Sequence, residues 1–330
     1  MMLTLALLVT ALVFILLPII WKVWLPEYAF NFVLARKEPE TARKVLANYF
    51  PIKDGEPVPQ PVPWIDTVDR EIAEIISYDG LKLRAYFTAV PAENADTVIL
   101  AHGYTGNGKQ LSDWAKFYYE DFGFSVLMPD ARAHGSSEGR YIGFGGPDRL
   151  DYLRWIDWVR ERRPQTRIVL HGISMGGATV MMTAGETHRL PPEVRAVIDD
   201  CGYSSMEEEL RHQMKLRYRF VSDSLIKATS RVCRRKAGYS FEEVSCVEQV
   251  RKSRLPFLII HGEEDGFVPF SMAKILFDAA PPADQVWKEF YPVSGADHGG
   301  AYSANPEMYK NRIAQFLKKV FNEDTLAGRH

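Results

Sequence analysis

The sequence predicts an α/β fold: a mostly parallel central sheet with helices on both faces. Two observations carry this expectation. From Ile72 onward, short apolar runs of strand length alternate with stretches whose apolar residues recur at helical spacing, the pattern of successive strand–helix–strand units. The runs themselves, such as Thr97–Ala101 and Ser125–Pro129, are apolar almost throughout rather than alternating, as strands covered on both faces are. One stretch, Met206–Arg254, breaks the rhythm with no convincing strand and reads as a helical insertion.

In chain order, Ile72–Tyr78 and Leu81–Thr88 flank Asp79-Gly80, a tight-turn pair that makes an antiparallel hairpin at the sheet edge. The strand Thr97–Ala101, a helix over Leu111–Tyr119 and the strand Ser125–Pro129 follow. Leu153, Ile156 and Val159 mark a helix over Leu150–Arg160. Then come the strand Arg167–Leu170, a helix over Gly176–Gly185 and the strand Val194–Ile198. Within the insertion, Leu210, Met214, Val221 and Leu225 suggest an amphipathic helix, so the insertion is expected to be a cap. Segment 206–240 is rich in Arg and Lys, which suits a solvated face or, more sharply, anionic lipid headgroups. The strand Pro256–Ile260, a helix over Ser271–Ala279, the strand Val286–Tyr291 and a helix over Pro306–Phe321 complete the pattern.

The 330 residues are 46% apolar and 25% charged, a globular balance that excludes disordered, collagen-like and mainly membrane-embedded chains. With 40 Lys+Arg against 42 Asp+Glu, the net charge of −2 gives nothing global to attract nucleic acid. The three cysteines, Cys201, Cys233 and Cys246, have no C-x-x-C spacing. They read as structural thiols rather than a disulfide framework or a zinc site.

Met2–Trp21 carries no charge, and as a helix it would reach about 30 Å, the hydrocarbon thickness of a bilayer. No Lys or Arg precedes it, and Ile19, Ile20, Trp21, Val23 and Trp24 occupy the place where a cleavage site needs small residues. It therefore reads as an uncleaved transmembrane anchor with Trp21 and Trp24 at the interface. Lys22, Arg36, Lys37, Arg43 and Lys44 all follow it, which by the positive-inside rule makes a single-pass membrane protein with a cytoplasmic main domain. Residues 36–50 suggest a short amphipathic helix, and Pro51, Pro57, Pro59, Pro61 and Pro63 a stiff spacer. The expected organisation is an anchor at 1–25, an amphipathic segment and Pro-rich linker at 26–66, a main domain at 67–323 with its cap at about 204–254, and a tail at 324–330.

The pentapeptide G-x-S-x-G occurs twice, at Gly172–Gly176 and Gly135–Gly139. A nucleophilic serine of this motif must sit on a sharp turn from strand to helix. Ser174 has a strand before it and Gly176-Gly177-Ala178 opening a helix after it. Ser137 is followed by Arg140-Tyr-Ile-Gly-Phe-Gly-Gly-Pro, which cannot be a helix. Ser174 is the candidate nucleophile and Ser137 a loop residue.

A serine needs a base, and the base needs an acid to orient it. With this motif the chain order is serine, acid, histidine. His298, in the turn-rich Ser294–Gly300 loop, is the candidate base, and His330 is a tail residue. The candidate acid is Asp265, after the strand Pro256–Ile260, with Glu263 and Glu264 as neighbours and Asp199 and Asp200 as the alternative at the preceding strand end. Asp297 reads as a loop residue. Developing oxyanion charge needs preorganised donors, and the N–H groups of Met175 and Tyr104 are the candidates. His102, His134, His171 and His261 each precede a glycine near a strand end and read as packing residues rather than metal ligands. Phe144, Tyr203, Tyr218 and Phe220 are equally candidates for an apolar pocket and for core or cap packing.

Together, His102-Gly-Tyr-Thr-Gly, Asp130-Ala-Arg-Ala-His-Gly-Ser-Ser-Glu-Gly, Gly172-Ile-Ser-Met-Gly-Gly, His261-Gly-Glu-Glu-Asp-Gly-Phe-Val-Pro and Ala296-Asp-His298 resemble the α/β-hydrolase superfamily. The resemblance is nearest to bacterial esterases, monoacylglycerol-lipase-like enzymes and serine aminopeptidase-like hydrolases. It runs in family order over residues 97–300, and flanking elements extend it to about 72–321. Ala133 departs from the family, which usually has Gly there. The resemblance implies the α/β-hydrolase fold, a helical cap between the sixth and seventh strands, and no cofactor. The expected function is a membrane-anchored serine hydrolase of carboxylic esters, acting on a small acyl ester or lipid-like substrate. The alternatives are a peptidase, amidase or thioesterase with the same triad, and a ligand-binding or sensing protein on a hydrolase fold.

Overall fold

The computed structural model describes residues 20–38, 41, 62–93, 95–219 and 222–327. Eight strands form one sheet: β1 (Glu71–Ile76), β2 (Lys82–Thr88), β3 (Thr97–Ala101), β4 (Ser125–Pro129), β5 (Ile168–Ile173), β6 (Val194–Asp200), β7 (Phe257–Gly262) and β8 (Lys288–Val293). Their order is β1-β2-β4-β3-β5-β6-β7-β8. β1 pairs antiparallel with β2, and β2 with β4, while the remaining neighbours are parallel. The edge hairpin turns where expected: Gly80 takes φ +89° and Ser77 N–H donates to the Leu81 carbonyl at 2.8 Å.

The central strands are largely apolar because their residues face one of two cores. Ile99 and Ala101 of β3, Leu170 of β5 and Ile259 of β7 enter one hydrophobic cluster, and Val98, Leu100, Val169 and Leu258 enter the other. This is the period-two alternation of a sheet packed on both sides. The helices are α1 (Leu25–Leu34), α2 (Ser112–Glu120), α3 (Asp148–Arg162), α4 (Met175–Ala184), α5 (Met206–Tyr218), α6 (Asp223–Ala237), α7 (Cys246–Val250), α8 (Phe270–Ala279), α9 (Ala301–Ala304) and α10 (Pro306–Ala327). α2 and α10 cover the second face, and α3, α4 and α8 the first. Every residue of α4 is buried, which explains its unbroken small and apolar sequence.

The cap follows β6 and consists of α5, α6 and α7. Its helices start on serines: the hydroxyls of Ser205, Ser222 and Ser245 accept from Glu208, Leu225 and Glu248 N–H. α6 ends on Arg234-Arg235-Lys236 and then Gly238 at φ +82°, cations at the negative end of the helix dipole and a left-handed stop.

The segment after the apolar N-terminus departs from expectation. Residues 26–38, expected within the amphipathic segment and linker at 26–66, are part of the packed domain. α1 packs on the domain with Phe30 and Leu34 fully buried, and Glu27 pairs with Arg235 and Lys236 of α6. Arg36 holds the 135–140 loop: its guanidinium donates to the Ser137 carbonyl at 2.6 Å and its N–H to the Arg140 carbonyl at 2.9 Å. Ile65 is also fully buried in the core, so the domain begins before residue 67. At the other end α10 runs to Ala327, past the expected tail boundary. The anchor expected over Met2–Trp21 lies outside the described residues but for Ile20 and Trp21, and the amphipathic helix and proline spacer do so almost entirely. Among the described residues no helix is long and apolar enough to cross a membrane.

Candidate active site

The candidate residues sit at the carboxyl ends of strands: Tyr104 after β3, Ser174 after β5, Asp265 after β7 and His298 after β8. Parallel strands end at the same edge of the sheet, so loops distant in sequence meet there.

Ser174 has φ +58° and ψ −118°, a backbone state that costs a non-glycine residue roughly 1–3 kcal/mol. Its surroundings hold it. Ser174 N–H donates to the Asp200 carbonyl at 2.8 Å, and its own carbonyl accepts from Ala178 N–H at 3.0 Å. The two flanking glycines are obligatory. A Cβ on Gly172 would lie 2.1 Å from the Gly176 carbonyl oxygen, and one on Gly176 would lie 2.0 Å from that of Ala101. The turn thus presents Ser174 to the cavity because the backbone beneath it is packed against backbone.

His298 bridges the other two groups. Its Nε2 lies 2.8 Å from Ser174 Oγ, and its Nδ1 lies 2.7 Å from Asp265 Oδ2. With a carboxylate at Nδ1, that nitrogen carries the proton and Nε2 accepts from the serine hydroxyl. Asp265 is fixed from its other side: Phe267 and Val268 N–H donate to Oδ1 at 2.9 and 2.8 Å, and His261 Nε2 lies 3.2 Å from Oδ2. Burial disfavours the Asp265 charge, but hydrogen bonds from His261 and His298 outweigh it and hold the carboxyl down at about 2. The alternative acids serve elsewhere. Asp199 accepts from Gly202 N–H and Asp200 from the Tyr309 hydroxyl, and burial pushes them up to about 7 and about 6. Glu263, Glu264 and Asp297 are exposed.

Met175 is the first residue of α4, so its N–H has no intrahelical acceptor. Gly103 approaches closely enough that a Cβ there would be 3.4 Å from Ser174 Cβ, which brings the 102–106 loop over the serine. Tyr104 and Met175 both line the cavity that reaches Ser174. The Tyr104 phenol donates to the Val33 carbonyl at 2.8 Å, tying α1 to this loop.

Ser137 is buried in a loop, its hydroxyl donating to the Asp130 carbonyl at 2.6 Å and accepting from Arg84 N–H at 2.9 Å. The other histidines are engaged in structure. His102 joins the Ala131 N–H and Gly103 carbonyl, His134 the Thr105 N–H and Arg132 carbonyl, and His171 lies between the Tyr118 and Tyr309 hydroxyls. Cys201, Asp265 and His298 are close enough together to suggest a metal site among the described residues. The donor set does not fit one: both carboxylate oxygens and both imidazole nitrogens are engaged, and burial pushes the Cys201 thiol well above its ordinary value.

A cavity of about 380 Å³ opens beside Ser174. The cap supplies Leu210, Met214, Leu225 and Ile226, and the domain Phe144 and Phe267. Tyr203 and Tyr218 also line it, whereas Phe220 lies outside the described residues. Two contributions are not apparent from the sequence. α1 supplies a wall through Leu25, Tyr28, Ala29 and Phe32; the four-residue recurrence of Trp24, Tyr28 and Phe32 is the only sequence signal for it. Glu209 of α5 also lines the cavity, and burial pushes its carboxyl up to about 8. It accepts from Gln213 Nε2, which also donates to the Phe267 carbonyl, while His212 Nε2 donates to the Gly266 carbonyl. The cap thereby grips the loop that carries Asp265.

Residues 96–238 match the family model of the alpha/beta hydrolase fold. The uncharacterized protein YqkD of Bacillus subtilis (strain 168) is 26% identical over 247 residues, 74% of this chain and 78% of that protein. The uncharacterized protein YfhR of Escherichia coli (strain K12) is 28% identical over 290 residues, 84% of this chain and 89% of that protein. Among solved structures, the Pyrococcus furiosus esterase Pf2001 is similar with a TM-score of 0.63 and 21% identity, covering 82% of this chain and 98% of its own. The sheet order, the cap after β6, the strained serine turn after β5 and the match over residues 96–238 together show that this chain has the α/β-hydrolase fold.

Proposed function

We propose that this protein is a membrane-anchored serine hydrolase that cleaves carboxylic esters through an acyl-enzyme. The observation that carries the reading is the unbroken chain from Ser174 Oγ through His298 to Asp265, at 2.8 and 2.7 Å, at the floor of a largely apolar cavity. Ser174 Oγ attacks the ester carbonyl carbon as its proton passes to His298 Nε2. Asp265 stabilises the resulting imidazolium, and Tyr104 and Met175 N–H receive the oxyanion. Collapse of the tetrahedral adduct breaks the ester C–O bond, and the leaving alkoxide takes the proton from Nε2. Water then repeats the cycle, releasing the carboxylic acid and restoring Ser174. No step calls for a cofactor.

The apolar lining suits an acyl chain, and the similarity to an esterase supports ester rather than peptide cleavage. The uncharged Met2–Trp21 segment supports a single-pass anchor, and the Lys and Arg residues that follow it support a cytoplasmic catalytic domain. The test is turnover of ester, thioester and peptide substrates by the full chain, with Ser174→Ala as control. Ester hydrolysis with kcat of about 1 s⁻¹ or more, absent in the variant, is the expected result. Turnover of peptides alone would make it a peptidase. A folded protein with no turnover and no fluorophosphonate labelling would make it a binding protein.

A further inference from the structure

Among the described residues, several exposed large apolar side chains stand on α1, the turn before it and the end of α5, and three of them line the cavity. Along α1 and the turn before it, Trp24, Tyr28 and Phe32 stand at successive four-residue steps. Their rings stack, with centroids 5.9 and 6.2 Å apart and planes 9° and 16° from parallel. They are 65%, 55% and 41% exposed. The opposite face of α1, with Phe30 and Leu34, is fully buried on the domain. A helix that is apolar on both sides has one side satisfied by its own fold and one still to be covered. Leu216 and Tyr218, at the end of α5, are exposed as well. Tyr28, Phe32 and Tyr218 also line the cavity with Ser174, so this apolar patch and the cavity mouth are one surface. Two cations border it: Lys37 Nζ and the Arg217 guanidinium lie 5.7 and 5.6 Å from the centre of the Phe32 ring.

We infer that the occupant of this surface is a lipid bilayer: α1 lies along the interface, and the cavity takes an amphiphilic acyl ester directly from the membrane. The inference deepens the proposed function and rests on its reading of Ser174 and of the anchor. Three observations favour a bilayer over a protein. The uncharged Met2–Trp21 segment leads without a break into the turn Ile20–Trp24 and α1, so the rim is held within a few residues of that segment. Tryptophan, tyrosine and phenylalanine flanked by long cations is the composition of an interfacial belt. The acidic residue of α1, Glu27, is turned to the cap and paired with Arg235 and Lys236, so it does not oppose an anionic surface.

The geometry makes a measurable distinction. Phe32 lies eleven residues beyond Trp21. A helix standing on the membrane would lift it about 16 Å from the interface, whereas one lying flat keeps it there. The full chain is reconstituted in phosphatidylcholine vesicles containing phosphatidylglycerol and shallow doxyl-labelled lipid, and the additional emission of Phe32→Trp over wild type is measured. Expected is about twofold or stronger quenching by the doxyl lipid and little by aqueous iodide. Quenching by iodide alone overturns the inference, as does protection from both quenchers, which would point to a second copy or another protein on the rim. Neither result touches the anchor or the nucleophile, which vesicle flotation and fluorophosphonate labelling of the same sample report separately. A second arm uses Trp24→Glu with Leu216→Glu, both outside the cavity lining. Hydrolysis of a long-chain ester embedded in the vesicles should fall by about tenfold, and that of a water-soluble short-chain ester should not change. Equal loss on both substrates, or loss on neither, overturns the inference.

Discussion

The same pentapeptide pattern, G-x-S-x-G, is used in two places in this molecule to opposite ends. At Gly172–Gly176 it forms a strand-to-helix turn in which serine is strained at φ +58° and its hydroxyl meets an imidazole 2.8 Å away. At Gly135–Gly139 it forms a loop in which the serine hydroxyl is spent on backbone groups, the Asp130 carbonyl and the Arg84 N–H. Both serines are buried. What differs is the partner: a titratable ring that can take a proton, or amide groups that cannot. A motif therefore carries chemistry only through the backbone turn that presents it and the groups that arrive from elsewhere.

The largest test of this contrast is Ser174→Ala beside Ser137→Ala. Ser174→Ala should lower kcat on an ester by a factor on the order of 10⁴ or more and abolish fluorophosphonate labelling, while Ser137→Ala should leave labelling intact. Labelling lost in Ser137→Ala and kept in Ser174→Ala would reverse the assignment.

Next comes the partner. Asp265→Asn should reduce kcat by roughly 10³–10⁴-fold, because an amide at that position no longer selects the productive imidazole tautomer. Steady-state rates compared with Asp200→Asn check it: if Asp200→Asn, and not Asp265→Asn, abolished turnover, the acid would lie at the end of β6.

A smaller effect separates the two serines by stability. Ser137→Ala removes the donor to the buried Asp130 carbonyl and the acceptor of Arg84 N–H, which should cost about 1–3 kcal/mol. Thermal unfolding should fall by several degrees while kcat per folded molecule is unchanged.

The smallest effect concerns the cap that grips the Asp265 loop. Glu209 stays protonated in the folded chain to about 8, against an ordinary value of 4.5, because it is buried. Between these values the folded state holds a proton that the unfolded chain has released, so this group's contribution to stability declines as pH rises from about 4.5 to about 8. Glu209→Gln should therefore gain thermal stability relative to wild type between pH 5 and pH 8.5. A constant difference across that range would show that the carboxyl does not titrate there.

Much of this organisation was legible in the sequence because it is local. The strands β3 and β4 begin and end at the residues their apolar runs suggested. The hairpin turns at Asp79-Gly80, and the crowding of Gly172 against the Gly176 carbonyl acts within a few residues, whereas that of Gly176 comes from the Ala101 carbonyl at the end of β3. The anchor and α1 show the limit. The ring spacing of Trp24, Tyr28 and Phe32 is visible in the sequence, but one helical stripe does not say which surface receives it. The opposite stripe is equally apolar, and only packing against α6 reveals which side remains outside.

The sequence by itself determined the succession of strands and helices, the place of the cap, and which serine could stand on a strand-to-helix turn. These depend on periodicity and on steric limits between near neighbours. Tertiary structure decided that Asp265, rather than the carboxylates at the end of β6, reaches His298. It also decided that Glu209 is buried beside the site, and that α1 walls the cavity through partners such as Arg235, 208 residues along the chain. Those outcomes follow from which surfaces meet when the two faces of the sheet are covered, and the contacts that hold them are distant in sequence.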